Sequence, residues 1–214
     1  STQAKTLFPY TTLFRSGGSL ELDVRTIYVM YAVLYLMLHG IVWVSLSSYR
    51  NRWVSLWSGA GIVSAIGIGF LACEGLLPLW VVAVFGQIPM AVGNLLRQYV
   101  LRSVDGPASR RWVVQYSLFH LFYLFLNGVL FMSGASQAHM MVVFFSFYAL
   151  VCYEFFASGR AIASNRETLG AWSVQAGGAV FCVSLGIKAL SLLAGWSAQS
   201  LDAPGWDQVA LFAC

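Results

Sequence analysis

Three ionisable side chains, His39, His120 and Glu154, lie within long apolar stretches of this sequence. Two histidines at similar depth on separate helices are the ligand pattern of a b-type haem, and adding the carboxylate matches a transition-metal site. The alternatives are hydrogen bonds between helices, a proton-linked switch, or a Glu154 side chain that reaches the membrane interface near Arg160. We expect one intramembrane polar cluster and no cofactor, with haem or a metal at the two histidines as the alternative.

Lys188 is the single charge within a further apolar stretch and lies about two turns from its end. Its aliphatic stem is long enough to carry the ammonium group to the membrane interface. Alternatively, the side chain faces an outward-open cavity, where it would contact an anionic ligand.

Small residues recur every four positions at Gly61, Ala65 and Gly69. On a helix these residues share one face, and small residues there let a neighbouring helix approach closely. We expect this seam to pack within a helical bundle or to form a homodimer contact.

Pro89 lies inside another helical stretch, where proline removes one backbone hydrogen bond. Gln87 and Asn94 lie on either side of it. We expect a kink whose freed backbone group is satisfied by nearby polar side chains. Such a kink is either static or a hinge.

The composition indicates which elements position these residues. Of 214 residues, 59% are hydrophobic and only 9% are charged, whereas about a quarter of the residues in a soluble domain are charged. The four cysteines show no CxxC spacing. Nucleophile-elbow, HExxH, phosphate-loop and dinucleotide motifs do not occur. We therefore expect a membrane protein, and no enzymatic activity in this chain.

Uncharged runs of membrane-spanning length divide the sequence. A helix crosses the hydrocarbon core of a bilayer in about 20 residues, and the run between Arg111 and Glu154 holds two such lengths around the polar turn SGASQ. We predict an all-α, polytopic transmembrane helical bundle with six complete helices and the start of a seventh. The predicted spans are 26–47, 53–73, 78–101, 112–132, 138–158 and 169–195, followed by a stub that begins near 208.

The charged residues divide between the two ends of these predicted helices. One end carries the arginines Arg50, Arg52, Arg97, Arg102, Arg110, Arg111, Arg160 and Arg166. The other end carries Glu21, Asp23, Arg25, Glu74, Asp202 and Asp207. By the positive-inside rule, the arginine end is cytoplasmic and the natural N-terminus is outside. The net charge of +4 therefore indicates orientation in the membrane, and we expect no nucleic-acid partner.

Residues 6–16, TLFPYTTLFRS, resemble the translation of a sequencing adapter. We expect residues 1–16 to be an artefactual tail, with a genuine N-terminal tail as the alternative. Residues 17–214 then form one transmembrane domain, and we expect its seventh helix to be cut off at Cys214.

Four stretches resemble the N-terminal membrane regions of a group of bacterial signalling proteins: LDVRT, SSYRNRWVSLW, CEGLLPLW and QIPMAVGNLLRQYVLR. In that group a multi-helix membrane sensor precedes a cytoplasmic diguanylate cyclase domain of the GGDEF type. The resemblance covers residues 20–214, and no GGDEF-like sequence occurs in the chain. This chain therefore cannot itself make cyclic di-GMP.

The resemblance implies a sensory or anchoring domain in the bacterial inner membrane. Its expected partners are the lipid bilayer, a covalently linked cytoplasmic output domain downstream of Cys214, and a second copy in a homodimer. The alternatives are a multi-pass transporter or channel fragment, and the sensor of a histidine kinase.

Overall fold

Six long α-helices and the turns between them make up the described part of the chain. The structure, a computed structural model, describes residues 24–46, 51–165 and 169–194. In chain order the helices are α1 (Val24–Ser45), α2 (Arg52–Ala72), α3 (Leu79–Arg102), α4 (Arg110–Met132), α5 (Gln137–Asn165) and α6 (Leu169–Leu193). All six are long and apolar enough to cross a membrane. The predicted all-α transmembrane bundle is confirmed, while the N-terminal tail and the predicted seventh helix lie outside the described residues.

Contacts between α2 and α3, between α3 and α4 and between α5 and α6 show that these successive helices run in opposite directions. The starts of α2, α4 and α6 therefore lie at the same end as the ends of α3 and α5. We call this the arginine end. Two helices begin there with side-chain caps: the Asn51 side chain accepts a hydrogen bond from the Val54 N–H (2.9 Å), and the Ser109 hydroxyl accepts one from the Trp112 N–H (3.2 Å). These caps satisfy amide donors that the first turn of a helix leaves free.

Helix α5 is longer than predicted, since it ends at Asn165 and the predicted span ended at 158. The extension contains no proline and is rich in alanine, so nothing in it breaks a helix once the apolar run has ended. At 29 residues, α5 exceeds the length that the hydrocarbon core requires. Arg160 therefore lies on a helix and not in a loop.

Glycines bring two pairs of helices, α2 with α3 and α5 with α6, into close contact. A Cβ atom added at Gly93 would lie 2.6 Å from the Ala60 carbonyl oxygen, and one at Gly67 would lie 2.6 Å from the Gly86 carbonyl oxygen. Between α5 and α6, a Cβ added at Gly159 would lie 2.6 Å from the Gln175 amide nitrogen. Each pair thus packs backbone against backbone, as small residues permit in membranes.

Aromatic side chains fill the centre of the bundle between α4 and α5. Tyr123 stacks on Phe147 with ring centroids 3.7 Å apart, and Tyr148 and Val151 complete this buried group. The outer helices differ, because α1 packs closely only on α2, and α6 only on α5, among the described residues. Their remaining faces are apolar and exposed, which suits contact with lipid.

Candidate functional site

Polar side chains are concentrated in the second half of α3 and at its C-cap. They are Asn94, Arg97, Gln98 and Arg102 on the helix and Ser103 at the C-cap. Together with their partners on α2 and α5, they form what we call the α3 polar network. It occupies the half of the bundle nearer the arginine end.

Arg97 lies at the centre of the α3 polar network. Its guanidinium donates hydrogen bonds to the Asn94 side-chain oxygen (2.5 Å) and to the Ser64 hydroxyl of α2 (3.3 Å). It also lies over two aromatic rings, 5.2 Å from the centroid of Tyr35 on α1 and 5.8 Å from that of Phe155 on α5. Arg97 therefore joins four helices, and every one of these partners is neutral.

Gln98 joins α3 directly to α5 and is completely buried. Its amide nitrogen donates to the Val151 carbonyl oxygen, and its amide oxygen accepts from the Ser158 hydroxyl, both at 3.4 Å. The exposed fractions of Gln98 and Ser158 are 0% and 2%. Away from water, these two long hydrogen bonds are what satisfies the amide, because a buried polar group without a partner is costly.

Arg102 and Glu154 form an ion pair between the same two helices. The guanidinium nitrogen lies 2.9 Å from the carboxylate oxygen, and the exposed fractions of the two side chains are 34% and 27%. Arg102 also lies over the Trp112 ring at 5.7 Å from its centroid. Glu154 is thus neutralised by α3, near the end of the bundle where water is close.

Seven buried side-chain atoms in the described residues have no hydrogen-bond partner. They are Ser58 Oγ, Arg97 Nε, Arg102 Nε, Ser103 Oγ, Tyr116 Oη, His120 Nε2 and Tyr148 Oη. All belong to α2, α4, α5 or the α3 polar network and its C-cap. Such atoms are rare in folded proteins, and their concentration here marks a functional candidate.

His39 lies on the face of α1 that contacts α2. Its exposed fraction is 4%, and its Nδ1 hydrogen-bonds to the Tyr35 carbonyl oxygen at 2.8 Å. The ring rests against Gly61, where any added Cβ atom would collide with it. Because Gly61 has no side chain, the His39 ring can pack directly against the backbone of α2.

His120 lies among aromatic rings between α4 and α5. Its Nδ1 hydrogen-bonds to the Tyr116 carbonyl oxygen at 3.0 Å, and its ring meets the Phe147 ring edge-on with centroids 5.1 Å apart. No ring contact joins His120 to His39 within the described ranges. His120 is thus held by α4 and α5, whereas His39 is held by α1 and α2.

The structure does not bring His39, His120 and Glu154 together as one cluster. Each has partners of its own, and no group of three or more His, Cys, Asp or Glu side chains in the described residues is arranged to hold a metal ion. Similar depth in the membrane does not fix the direction in which a helix points its side chains. The geometry therefore gives no support to haem or metal ligation by this set.

The other predicted residues lie as follows. Lys188 is half-buried on α6. Gly61 and Ala65 are buried on α2, but a Cβ atom added at Gly69 would meet nothing within 4 Å. The close contact of α2 with α3 instead uses Ala60, Ser64 and Gly67. The face of α2 that contacts α3 is therefore not the face of Gly61, Ala65 and Gly69 that we predicted.

Pro89 lies inside α3, which continues unbroken to Arg102. The flanking polar side chains have partners elsewhere: Gln87 accepts a hydrogen bond from the Tyr123 hydroxyl (2.6 Å), and Asn94 accepts from Arg97. These two side chains thus serve contacts with α4 and within the α3 polar network, and not the backbone at the proline.

Sequence reasoning missed Arg97 and Gln98 as site residues. Arg97 was counted among the charges at a helix end, which the positive-inside rule already explains. The signal in the sequence was the spacing of polar residues. Asn94 and Gln98 are four residues apart and therefore share one face of α3.

Comparison of the chain with family models, curated proteins and solved structures finds no match.

Two tyrosines on α4 test the energetic role of buried hydroxyl partners. We expect Tyr123→Phe to lower the free energy of unfolding by about 1 kcal/mol, because Gln87 loses the donor that satisfies its half-buried oxygen. Tyr116→Phe removes a buried hydroxyl that has no partner, so we expect it to be neutral or slightly stabilising. Unfolding in detergent micelles measures both, and equal losses would contradict the assignment.

Proposed function

We propose that this chain is the membrane-embedded sensory or anchoring domain of a bacterial signalling protein, which passes a signal to a cytoplasmic output domain. The proposed output domain is a diguanylate cyclase of the GGDEF type. In support, the stretch QIPMAVGNLLRQYVLR, which resembles sensors of that group, supplies Asn94, Arg97, Gln98 and Arg102 of the α3 polar network. The resembling stretch and the polar site are thus the same part of the chain.

One observation carries the proposal: polar contacts join α3 to α5 without close backbone packing, whereas α2–α3 and α5–α6 pack backbone against backbone. A backbone contact through glycines has one fitting register. Polar contacts between side chains can be exchanged for others at a cost of about 1 kcal/mol each. The α5–α6 pair is therefore suited to shift against the α2–α3 pair, as packed helices do in signalling transitions.

The proposed orientation places the arginine end in the cytoplasm of the bacterium and the natural N-terminus outside, by the positive-inside rule. The shift at α3 and α5 would then occur in the half of the bundle nearer the output domain. A homodimer is part of the proposal, because a diguanylate cyclase requires two output domains to meet.

A transporter or channel is the second candidate function. The seven unpartnered buried polar atoms favour it, because substrate pathways in membranes are lined by polar groups. A histidine kinase in place of the cyclase would leave the proposed mechanism of the membrane domain unchanged.

The experiment uses the full-length protein, with the chain continued beyond Cys214, and measures cyclic di-GMP formation in membranes. We expect Gln98→Leu to change basal output about fivefold, the factor that corresponds to roughly 1 kcal/mol. Gln115→Leu, at an exposed position of α4, is the matched control and should change output less than twofold.

Further membrane spans with no soluble output domain would contradict the signalling proposal and favour the transporter. Equal effects of the two glutamine substitutions would contradict the role of the α3–α5 contact. Reporter fusions near Asp105 and Ser136 test orientation, since the first should report the cytoplasm and the second the outside.

A further inference from the structure

Arg97 carries a charge that the described part of the chain does not neutralise. Its two hydrogen-bond acceptors, Asn94 and Ser64, are uncharged. Glu154 is paired with Arg102, and no described carboxylate forms an ion pair with Arg97. A charge inside a membrane protein normally pairs with another charge or faces a polar cavity. Arg97 can therefore pair with an anion that the described residues do not supply.

The position of Arg97 indicates the side from which an anion reaches it. Arg97 lies about a turn and a half before α3 ends at Arg102, which is near the depth of lipid headgroups. Its guanidinium lies over the Tyr35 ring of α1 and over the Phe155 ring of α5, and the residue as a whole is partly exposed although its Nε is buried. Because α1 packs closely only on α2 among the described residues, an approach to Arg97 between α1 and α5 meets no close helix packing.

Unpartnered hydrogen-bond donors lie in the same half of the bundle as the guanidinium. The Nε of Arg97 and the hydroxyls of Tyr116 and Tyr148 are buried without a partner, and both tyrosines lie within electrostatic range of Arg97. The exposed fractions of Tyr116 and Tyr148 are 6% and 9%. All three groups donate hydrogen bonds, and phosphate oxygens accept several at once.

We infer that Arg97 binds the phosphate of an anionic phospholipid, which enters from the leaflet at the arginine end between α1 and α5. The aromatic rings of Tyr35 and Phe155 flank the headgroup site. A lipid fits better than a soluble anion because the exposed residues of the neighbouring α1 are apolar and suit contact with acyl chains. This binding does not depend on the proposed signalling function or on any output domain.

The test uses the purified chain in neutral detergent, titrated with phosphatidylglycerol or phosphatidylcholine, with bound lipid counted by native mass spectrometry. We expect the wild-type chain to bind phosphatidylglycerol about tenfold more tightly, the preference that a charge-assisted, forked contact provides. Arg97→Gln should abolish the preference. Arg160→Gln removes the same charge from an exposed position and should keep the preference within about twofold.

Several outcomes would overturn the inference. One is the absence of a phosphatidylglycerol preference in the wild-type chain, which needs no variant at all. Another is an equal loss in Arg97→Gln and Arg160→Gln, which would indicate general surface charge. If inorganic phosphate stabilises the wild-type chain, Arg97→Gln removes that effect, and phosphatidylglycerol stabilises the chain no more than phosphatidylcholine does, the ligand is a soluble anion and the lipid inference is wrong.

A folding check accompanies the variants, namely helical content and elution volume. If Arg97→Gln does not fold, Arg97→Lys replaces it, because lysine keeps the charge but loses the fork. We then expect the preference for phosphatidylglycerol to fall from about tenfold in the wild type to about threefold in this variant. An unchanged preference in Arg97→Lys would contradict the forked contact.

Discussion

Gly178→Ala is expected to lower the free energy of unfolding by about 2–3 kcal/mol, because the added methyl group has nowhere to go. A Cβ atom at this position would collide with the Phe156 amide nitrogen and lie 2.9 Å from the Cys152 carbonyl oxygen. Both are backbone atoms of α5, so no side-chain rotation relieves the contact. The two helices would have to separate along their whole contact.

The neighbouring Gly177 provides the matched control. A Cβ atom there would meet nothing within 4 Å, so Gly177→Ala should leave stability unchanged or raise it by up to about 1 kcal/mol through helix propensity. Unfolding in mixed micelles, followed by helical content, measures both variants. Similar changes in the free energy of unfolding at the two positions would contradict the close packing of α5 against α6.

Breaking the ion pair between Arg102 and Glu154 is expected to have the second-largest effect. Arg102→Gln or Glu154→Gln should each lower the free energy of unfolding by about 1–2 kcal/mol, because each leaves the other charge without its partner. The figure is below that of a fully buried pair, since the exposed fractions of 34% and 27% allow water to screen the remaining charge.

The double variant separates pairing from other effects. With both residues changed to glutamine, two neutral amides face each other, and we expect the loss to be smaller than the sum of the single losses by about 1 kcal/mol. Arg160→Gln, exposed on the same helix as Glu154, should change stability by less than about 0.5 kcal/mol. Strictly additive single losses would contradict a direct interaction.

The membrane spans were predictable because apolar run length alone decides whether a helix can cross a bilayer. The end of α5 was not predictable in this way. A predicted span stops where the apolar run stops, whereas a helix continues as long as its residues favour helical structure. Arg160 shows the difference: it ends a predicted span by its charge but does not end the helix.

The site was less predictable than the spans, for a physical reason. Helices in membranes are apolar on nearly all sides, so they lack the polar and apolar faces that reveal the inward direction of a helix in water. The sequence therefore predicts how far along their helices His39 and His120 lie, but not that one faces α2 and the other α5. The role of Arg97 was not predicted for another reason: the positive-inside rule already explains an arginine near the end of a membrane helix.

The division between glycine contacts and polar contacts has a consequence for biosynthesis. Helices α2 and α3 are adjacent in the chain and can pack as soon as both have left the translocon, whereas the bonds between α3 and α5 join residues 52 to 60 positions apart. During synthesis, Gln98 and Arg102 therefore enter the membrane before their partners at Val151, Glu154 and Ser158 are inserted. In that interval their polar groups lack these partners, which is costly inside a membrane.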